Sequence, residues 1–173
     1  MNPVLIRRLG PDDAGAYRSL RLRALREHPD AFTSSFEEES AKAVEWSAQR
    51  LAESAERPND FFLGAFKEDG LWGMLGLQGR YRAKERHNAT VVGMYVAPEL
   101  AHQRAGLALV RELVHQARAR EGLEQLDLTV TAGNDRAQAI YARCGFTVYG
   151  ILPDAIKVQG RYYAKVHMVL RLR

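Results

Sequence analysis

The chain has 173 residues, of which 46% are hydrophobic and 27% charged, and this length and composition are typical of a single globular domain. Its net charge of +4 comes from arginines scattered through amphipathic segments, so the charge by itself does not indicate a nucleic-acid-binding module. No apolar run reaches the roughly 18 residues of a membrane span. Because Cys144 is the one cysteine, an intramolecular disulfide is excluded, and we expect a cytoplasmic protein without a signal peptide.

Hydrophobic periodicity, prolines and glycines predict the elements in chain order. In the first half of the chain we expect a strand over Asn2–Leu9, a helix that starts at Pro11 and ends at Pro29, and an acidic connector over Phe32–Glu39. A second helix is expected over Ser40–Glu56. Two strands follow, over Phe61–Lys67 and Leu71–Tyr81, and a turn at Glu68-Asp69-Gly70 joins them. In the second half we expect a charged connector over Arg82–Asn88, a strand over Thr90–Val96, and a helix over Gly106–Arg120 with Gly122 as its C′ residue. A strand over Leu126–Thr131 and a helix over Asp135–Cys144, capped by Asn134, come next. The last two expected strands cover Phe146–Leu152 and Arg161–Leu172. The order β-α-α-β-β-β-α-β-α-β-β predicts one domain over residues 1–173 of the α/β class, in the α+β arrangement with a mixed sheet. We expect helices on both faces of that sheet.

The segment Met94–Ala108, which reads MYVAPELAHQRAGLA, has the parts of an anion-binding site. An apolar strand runs to Pro98, a short polar turn ends at Gly106, and a periodic helix begins there. Backbone N–H groups are unpaired at a helix N-terminus, and the helix dipole adds partial positive charge. On these residues alone, an ordinary strand–loop–helix connection in which Gly106 serves packing is equally compatible with the pattern.

Two motifs resemble a known family. Gln103-Arg104-Ala105-Gly106-Leu107-Ala108 is similar to the R/Q-x-x-G-x-G/A signature of the GCN5-related N-acetyltransferases, the GNAT family. Asn134–Phe146, which reads NDRAQAIYARCGF, resembles that family's second signature. The element order also matches, so the resemblance covers essentially the whole chain and implies a GNAT-like fold. Arg104 is a departure, because relatives usually carry glycine there; its side chain either reaches a cofactor phosphate or lies in solvent.

The resemblance implies that acetyl-CoA is the acyl donor. The pyrophosphate would lie against backbone N–H groups of the turn, and pantetheine would add like a short strand where the strand before the loop splays from its neighbour. A backbone N–H near Tyr95 or Val96 would stabilise the oxyanion. The cofactor-binding residues implied in this way are Met94, Tyr95, Val96, Gln103, Arg104, Ala105, Gly106, Leu107, Ala108 and Asn134.

Tyr141 is the catalytic residue that the resemblance implies, since it occupies the family position whose phenol protonates the departing thiolate. The expected acceptor is an amine, either of a small molecule or of a peptide or protein, and such an amine needs a base or a desolvated site. The sequence leaves that base open among His87, Glu85, His167 and the acidic residues Glu37, Glu38 and Glu39. The three glutamates would also suit a cationic acceptor.

Other chemistry is not expected. The five histidines show no metal-ligand spacing with each other or with Cys144, so we expect no metal. Cys144 is expected to be structural, because it lies near a helix C-terminus where the dipole disfavours a thiolate. The alternative function is a catalytically inactive acyl-CoA-binding sensor or scaffold of the same fold. We expect no nucleic-acid or membrane partner, whereas a homodimer is compatible with a fold whose last strands pack at an edge.

Overall fold

The computed structural model describes residues 3–68 and 70–173. Asn2 of the first expected strand and Asp69 of the expected hairpin turn lie outside the described residues. The strands are β1 (Leu5–Arg8), β2 (Phe61–Lys67), β3 (Gly70–Gly79), β4 (Asn88–Val96), β5 (Gln125–Thr131), β6 (Thr147–Val158) and β7 (Arg161–Arg171). The helices are α1 (Ala14–Glu27), α2 (Phe36–Ser40), α3 (Val44–Leu51), α4 (Ala105–Arg118) and α5 (Asp135–Arg143), and short 3₁₀ turns cover Pro11–Asp13, Pro29–Ala31 and Pro98–Leu100.

All seven strands form one mixed sheet in the order β1-β2-β3-β4-β5-β7-β6. Strands β4 and β5 are parallel, and every other neighbouring pair is antiparallel. Apolar residues of α4 and α5 pack on one face of this sheet, and those of α1 and α3 pack on the other. The mixed sheet with helices on both faces, expected from the sequence, is therefore confirmed.

Strands β4 and β5 pair over only part of their length. Their register extends from Asn88 and Gln125 to Thr90 and Asp127, where Thr90 Oγ1 donates a hydrogen bond of 2.6 Å to Asp127 Oδ1. Beyond this pair β4 remains paired with β3, and a bulge places one extra residue in β4. The bulge lies next to Gly93, whose φ of 65° is left-handed. The two strands thus separate towards their C-terminal ends, and the sheet is split there.

The second expected helix, Ser40–Glu56, is wrong in its bounds. Helix α2 instead forms within the expected connector, because Ser35 and Glu38 make a capping box: Ser35 Oγ accepts from Glu38 N at 3.1 Å and Glu38 Oε2 accepts from Ser35 N at 2.8 Å. Helix α3 ends at Leu51, since Ala52 is extended with ψ of 144°. Reciprocal capping of this kind satisfies two backbone donors at once, which is enough to start a short helix.

Two other expectations differ at the ends of elements. Helix α4 ends at Arg118, so Gly122, although left-handed with φ of 78°, belongs to the following turn and is not the C′ residue. Strand β6 continues beyond Leu152 to Val158, because an irregularity in its register between Leu152 and Ile156 accommodates Pro153. In the described part of the chain, no helix is long and apolar enough to cross a membrane.

Candidate functional site

The split between β4 and β5 opens into two adjoining cavities. The first has a volume of about 740 Å³ and lies between the end of β4, the start of α4 and the start of α5. The second, of about 450 Å³, lies between the strands and extends to α1 and α3. The residues that line both cavities are Ala31, Phe32, Met94, Thr131, Asn134 and Ala137. A ligand in one cavity would therefore meet a ligand in the other at this shared wall.

Most of the expected cofactor-binding residues line the first cavity. They are Met94, Tyr95, Val96, Arg104, Ala105, Gly106, Leu107 and Asn134. Gln103 and Ala108 do not line it: Gln103 Nε2 donates to the Glu99 carbonyl at 3.4 Å, and Ala108 lies within α4. The Tyr95 hydroxyl donates to Glu27 Oε2 at 2.6 Å, so its side chain is held by α1.

The N-terminus of α4 points backbone donors at the first cavity. The first internal hydrogen bond of the helix runs from Ala108 N to the Arg104 carbonyl at 3.0 Å, so the N–H groups of residues 105–107 precede the helical bonding. Arg104 is the N-cap residue and provides no side-chain cap. Such a terminus favours an anion through its free N–H groups and the helix dipole.

Gly106 has a packing role in addition to its place at this terminus. A Cβ on Gly106 would lie 3.1 Å from Ile140 Cδ1 and 3.7 Å from Val96 Cγ2. Glycine therefore lets α4 approach α5 and β4 closely. Gly106 therefore both packs at this helix contact and lines the first cavity.

Basic side chains surround the first cavity. Those contributed by its described lining residues are His28, His102, Arg104, Arg136 and Arg143. Asp30 is the one acidic residue among the described lining residues. The excess of positive charge and the helix terminus together suit a ligand that carries several phosphates.

Tyr141 lies in the wall of the second cavity, one helical turn after Ala137 of the shared wall. Its ring is buried and packs edge-on against Phe146, with 5.6 Å between the ring centroids. This burial raises the pKa of the Tyr141 phenol, so the hydroxyl keeps its proton at neutral pH. The expected cap at Asn134 is confirmed, because its Oδ1 accepts from Ala137 N at 3.2 Å.

Sequence reasoning missed three cationic residues of the second cavity: Arg21 of α1, Arg50 of α3 and Lys165 of β7. Lys165 is only 6% exposed, and burial lowers the pKa of its ammonium group. A signal for two of them was present. Arg21 falls four residues after Tyr17 on the apolar stripe of its helix, and Lys165 interrupts an apolar strand.

The structure does not bring the expected bases to either cavity. His87 and Glu85 lie in the turn before β4, at the paired end of the split. His167 contacts Tyr149, with 3.4 Å between Nδ1 and the hydroxyl oxygen. None of these three residues lines either cavity.

The three glutamates of the acidic run line neither of the two cavities. Glu38 is used in the capping box described above, and Glu37 is exposed. Glu39 is buried and lies 3.3 Å from Arg21 Nη2, so its charge is paired. Among the described residues, no group of three or more His, Cys, Asp or Glu is placed to hold a metal ion. Cys144 ends α5, and burial raises the pKa of its thiol.

Comparison with known proteins identifies relatives of this fold. The model of the acetyltransferase (GNAT) family matches residues 22–146, whereas no curated protein sequence matches the chain significantly. An acetyltransferase of the GNAT family from Streptococcus pneumoniae is 22% identical, with a TM-score of 0.80 over 97% of this chain and 99% of that one. A ribosomal-protein-alanine N-acetyltransferase from Brucella melitensis is 23% identical, with a TM-score of 0.78 over 96% and 99%. A phosphinothricin acetyltransferase from Sinorhizobium meliloti, solved in complex with AcCoA, is 18% identical, with a TM-score of 0.82 over 97% and 88%.

Proposed function

The chain belongs to the acetyltransferase (GNAT) family, and on that premise we propose that it transfers the acetyl group of acetyl-CoA directly to the amine of a small molecule or peptide. The observation that carries this proposal is the meeting of two cavities at Met94, Asn134 and Ala137, beside Tyr141. A cationic cavity on one side of the split suits the donor. A second cavity on the other side leaves room for an acceptor, so the two substrates would meet at the split without a covalent enzyme intermediate.

The first cavity is the proposed site of acetyl-CoA. Its pyrophosphate would bind the free N–H groups at the start of α4, and Arg104 would add a charge-assisted contact. The pantetheine arm would lie along the backbone of Met94, Tyr95 and Val96, where β4 no longer pairs with β5. The acyl group would then reach the shared wall. The complex of the Sinorhizobium meliloti acetyltransferase with AcCoA supports acetyl-CoA as the donor.

The chemistry needs a group that stabilises the oxyanion and a group that donates a proton. The amine nitrogen attacks the thioester carbonyl carbon, and a backbone N–H near Tyr95 or Val96 stabilises the oxygen that becomes negative. The carbon–sulfur bond then breaks, the thiolate takes the proton of the Tyr141 hydroxyl, and the phenolate so formed takes the proton that the attacking nitrogen gives up as it becomes the amide. Burial raises the pKa of that phenol and makes it a weaker acid, so its proton moves to the thiolate as the phenolate takes the proton of the acetylated nitrogen.

The acceptor must lose a proton before it attacks, since alkylamines with a pKa of roughly 10 are mostly protonated at neutral pH. Positive charge from Arg21, Arg50 and Lys165 in the second cavity disfavours a bound ammonium ion. The cavity would therefore bind the neutral amine and lower its pKa. In this scheme no separate histidine base is required.

An acceptor screen that monitors release of free CoA thiol tests the proposal. Purified protein would be mixed with acetyl-CoA and a broad set of amines, and the acetylated product would be identified by mass spectrometry. At least one amine should give product together with thiol in equal amounts. Binding of acetyl-CoA without transfer to any amine would contradict the proposal and favour the inactive sensor or scaffold.

The homodimer stays a prediction. Strand β6 is the edge of the sheet, and several of its apolar side chains are more than half exposed, namely Val148, Tyr149, Ile151 and Leu152. An apolar edge of this kind would be covered in a dimer. Light scattering after size exclusion measures the mass, and the mass of a single 19.5 kDa chain would contradict the dimer.

A further inference from the structure

The second cavity carries an excess of positive charge. Three separate elements contribute the cations Arg21, Arg50 and Lys165, and no Asp or Glu occurs among its described lining residues. The other polar side chains that line it are neutral, namely those of Thr33, Ser34, Gln78, Thr90, Thr129, Thr131, Asn134 and Tyr141. Among the described residues no carboxylate therefore lines this cavity, and Glu39, which pairs with Arg21, lies outside the lining.

Arg21 has hydrogen-bonding capacity to spare. The residue is 8% exposed and its Nη2 lies 3.3 Å from Glu39 Oε1, while its guanidinium stacks 4.8 Å above the ring of Phe32. Its Nε is buried without a hydrogen-bond partner in the described chain. A buried donor of a charged group that stays unpaired is destabilising, so a ligand acceptor would improve this site.

Arg50 resembles Arg21 in this respect. Its Nε is also buried and has no partner among the described residues. Its guanidinium lies over aromatic rings, 4.8 Å from Phe62 and 5.2 Å from Trp46. Within the part of the chain that the structure describes, no carboxylate forms an ion pair with it. Each guanidinium group thus has an Nε donor without a partner in the described chain.

We infer that the acceptor is a small amine that also carries an anionic oxyacid group, such as a carboxylate, which Arg21 and Arg50 bind. This rests on the proposed acetyl transfer and names its substrate class. Guanidinium groups suit oxyanions because several N–H donors can bind two oxygens at once. The volume of about 450 Å³ fits a small molecule. With its anion at the two arginines, the molecule would extend its amine towards Tyr141 and the shared wall.

Calorimetric titration of matched ligand pairs tests the anion site separately from catalysis. The protein, saturated with CoA so that no reaction occurs, would be titrated with α-, β- and γ-amino acids and aminophosphonates, and with the corresponding amides or esters, which keep the amine but lack the anionic group. At least one member with the anionic group should bind about tenfold more tightly than the counterpart that lacks it. Equal binding of both members in every pair, or binding of neither, would overturn the inference.

Two variants connect that binding to the arginines. Arg50→Gln removes the cation that has no ion-pair partner, and the double variant Arg21→Gln with Glu39→Gln removes the buried ion pair together, so that no lone charge is left. Each should weaken the ligand that carries the anionic group about tenfold, should not weaken the counterpart that lacks this group, and should leave the affinity for acetyl-CoA unaffected. Unchanged acetyl-CoA affinity also shows that the variant is folded.

Arg26→Gln is the matched control. Arg26 lies on the same helix as Arg21 and over the ring of Phe36 at 4.6 Å, but it is exposed and lines neither cavity. Its substitution should leave anion binding unchanged. If it weakened the ligand as much as Arg50→Gln, net charge would account for the effect and the inference would fail. Selective anion binding without thiol release would instead refute the proposed transfer and leave the anion site standing.

Discussion

Lys165 Nζ donates a hydrogen bond of 3.0 Å to Thr131 Oγ1, and this contact joins β7 to the last residue of β5. Thr131 Oγ1 in turn donates to the carbonyl of Asp30 at 2.6 Å. Since Thr131 lines both cavities, the ammonium group is held beside the place where donor and acceptor are proposed to meet. A lysine buried in this way lowers the stability of the fold, and the acceptor cavity gives a functional reason for it.

We predict that Lys165→Met stabilises the protein at pH 7 by about 1 kcal/mol and lowers the rate of acetyl transfer. Because burial lowers the pKa of Lys165, the unfolded chain binds this proton more tightly than the folded chain does. The wild-type free energy of unfolding should therefore rise with pH between the folded-state pKa and about 10.4, and the advantage of the variant should shrink over that window. Chemical denaturation at several pH values measures this; an advantage that is independent of pH would contradict it.

Tyr141→Phe should reduce kcat on the order of 100-fold, because the thiolate would leave without a positioned proton donor. The KM for acetyl-CoA should change little, since Tyr141 lines the acceptor cavity and not the first one. Steady-state kinetics with either substrate varied separates the two effects. Near-normal turnover in this variant would remove Tyr141 from the mechanism.

Arg104 has φ of 55° and ψ of 24°, a left-handed conformation that costs a residue with a Cβ about 1 kcal/mol relative to glycine. Arg104→Gly should therefore unfold with a free energy about 1 kcal/mol higher than Arg104→Ala, which serves as its control. Both variants lose the guanidinium, so both should raise the KM for acetyl-CoA about tenfold if that group binds a phosphate as proposed. Unchanged KM in both would place the side chain in solvent.

Direct transfer requires both substrates on the protein at once. Initial-velocity lines obtained by varying acetyl-CoA at several acceptor concentrations should intersect, because a ternary complex precedes the chemical step. Parallel lines would indicate an acetylated enzyme and contradict the proposed route. In that case mass spectrometry of the protein after incubation with acetyl-CoA alone would locate the acetyl group.

Local patterns were sufficient for much of the fold. The strands β2, β4 and β5 and the helices α4 and α5 were predictable because their periodicity and capping residues act within a few positions of each other. Helix α2 was predicted as a connector, although Ser35 and Glu38 have the spacing of a capping box. Strand β6 was predicted too short because Pro153 usually ends a strand, whereas its edge position and irregular register tolerate it here.

For the candidate site too, the sequence determined one part and the tertiary structure another. The motifs at residues 103–108 and 134–146 lie on consecutive residues, so the sequence by itself determined which turn and which helix belong to the proposed cofactor site. It did not reveal that Arg21, Arg50 and Lys165 share one cavity, nor that His87 and His167 lie away from it. Those relationships depend on where β4 and β5 separate and on how α1, α3 and β7 pack around the opening. They arise from contacts between segments that are far apart along the chain, and only the tertiary structure decided those contacts.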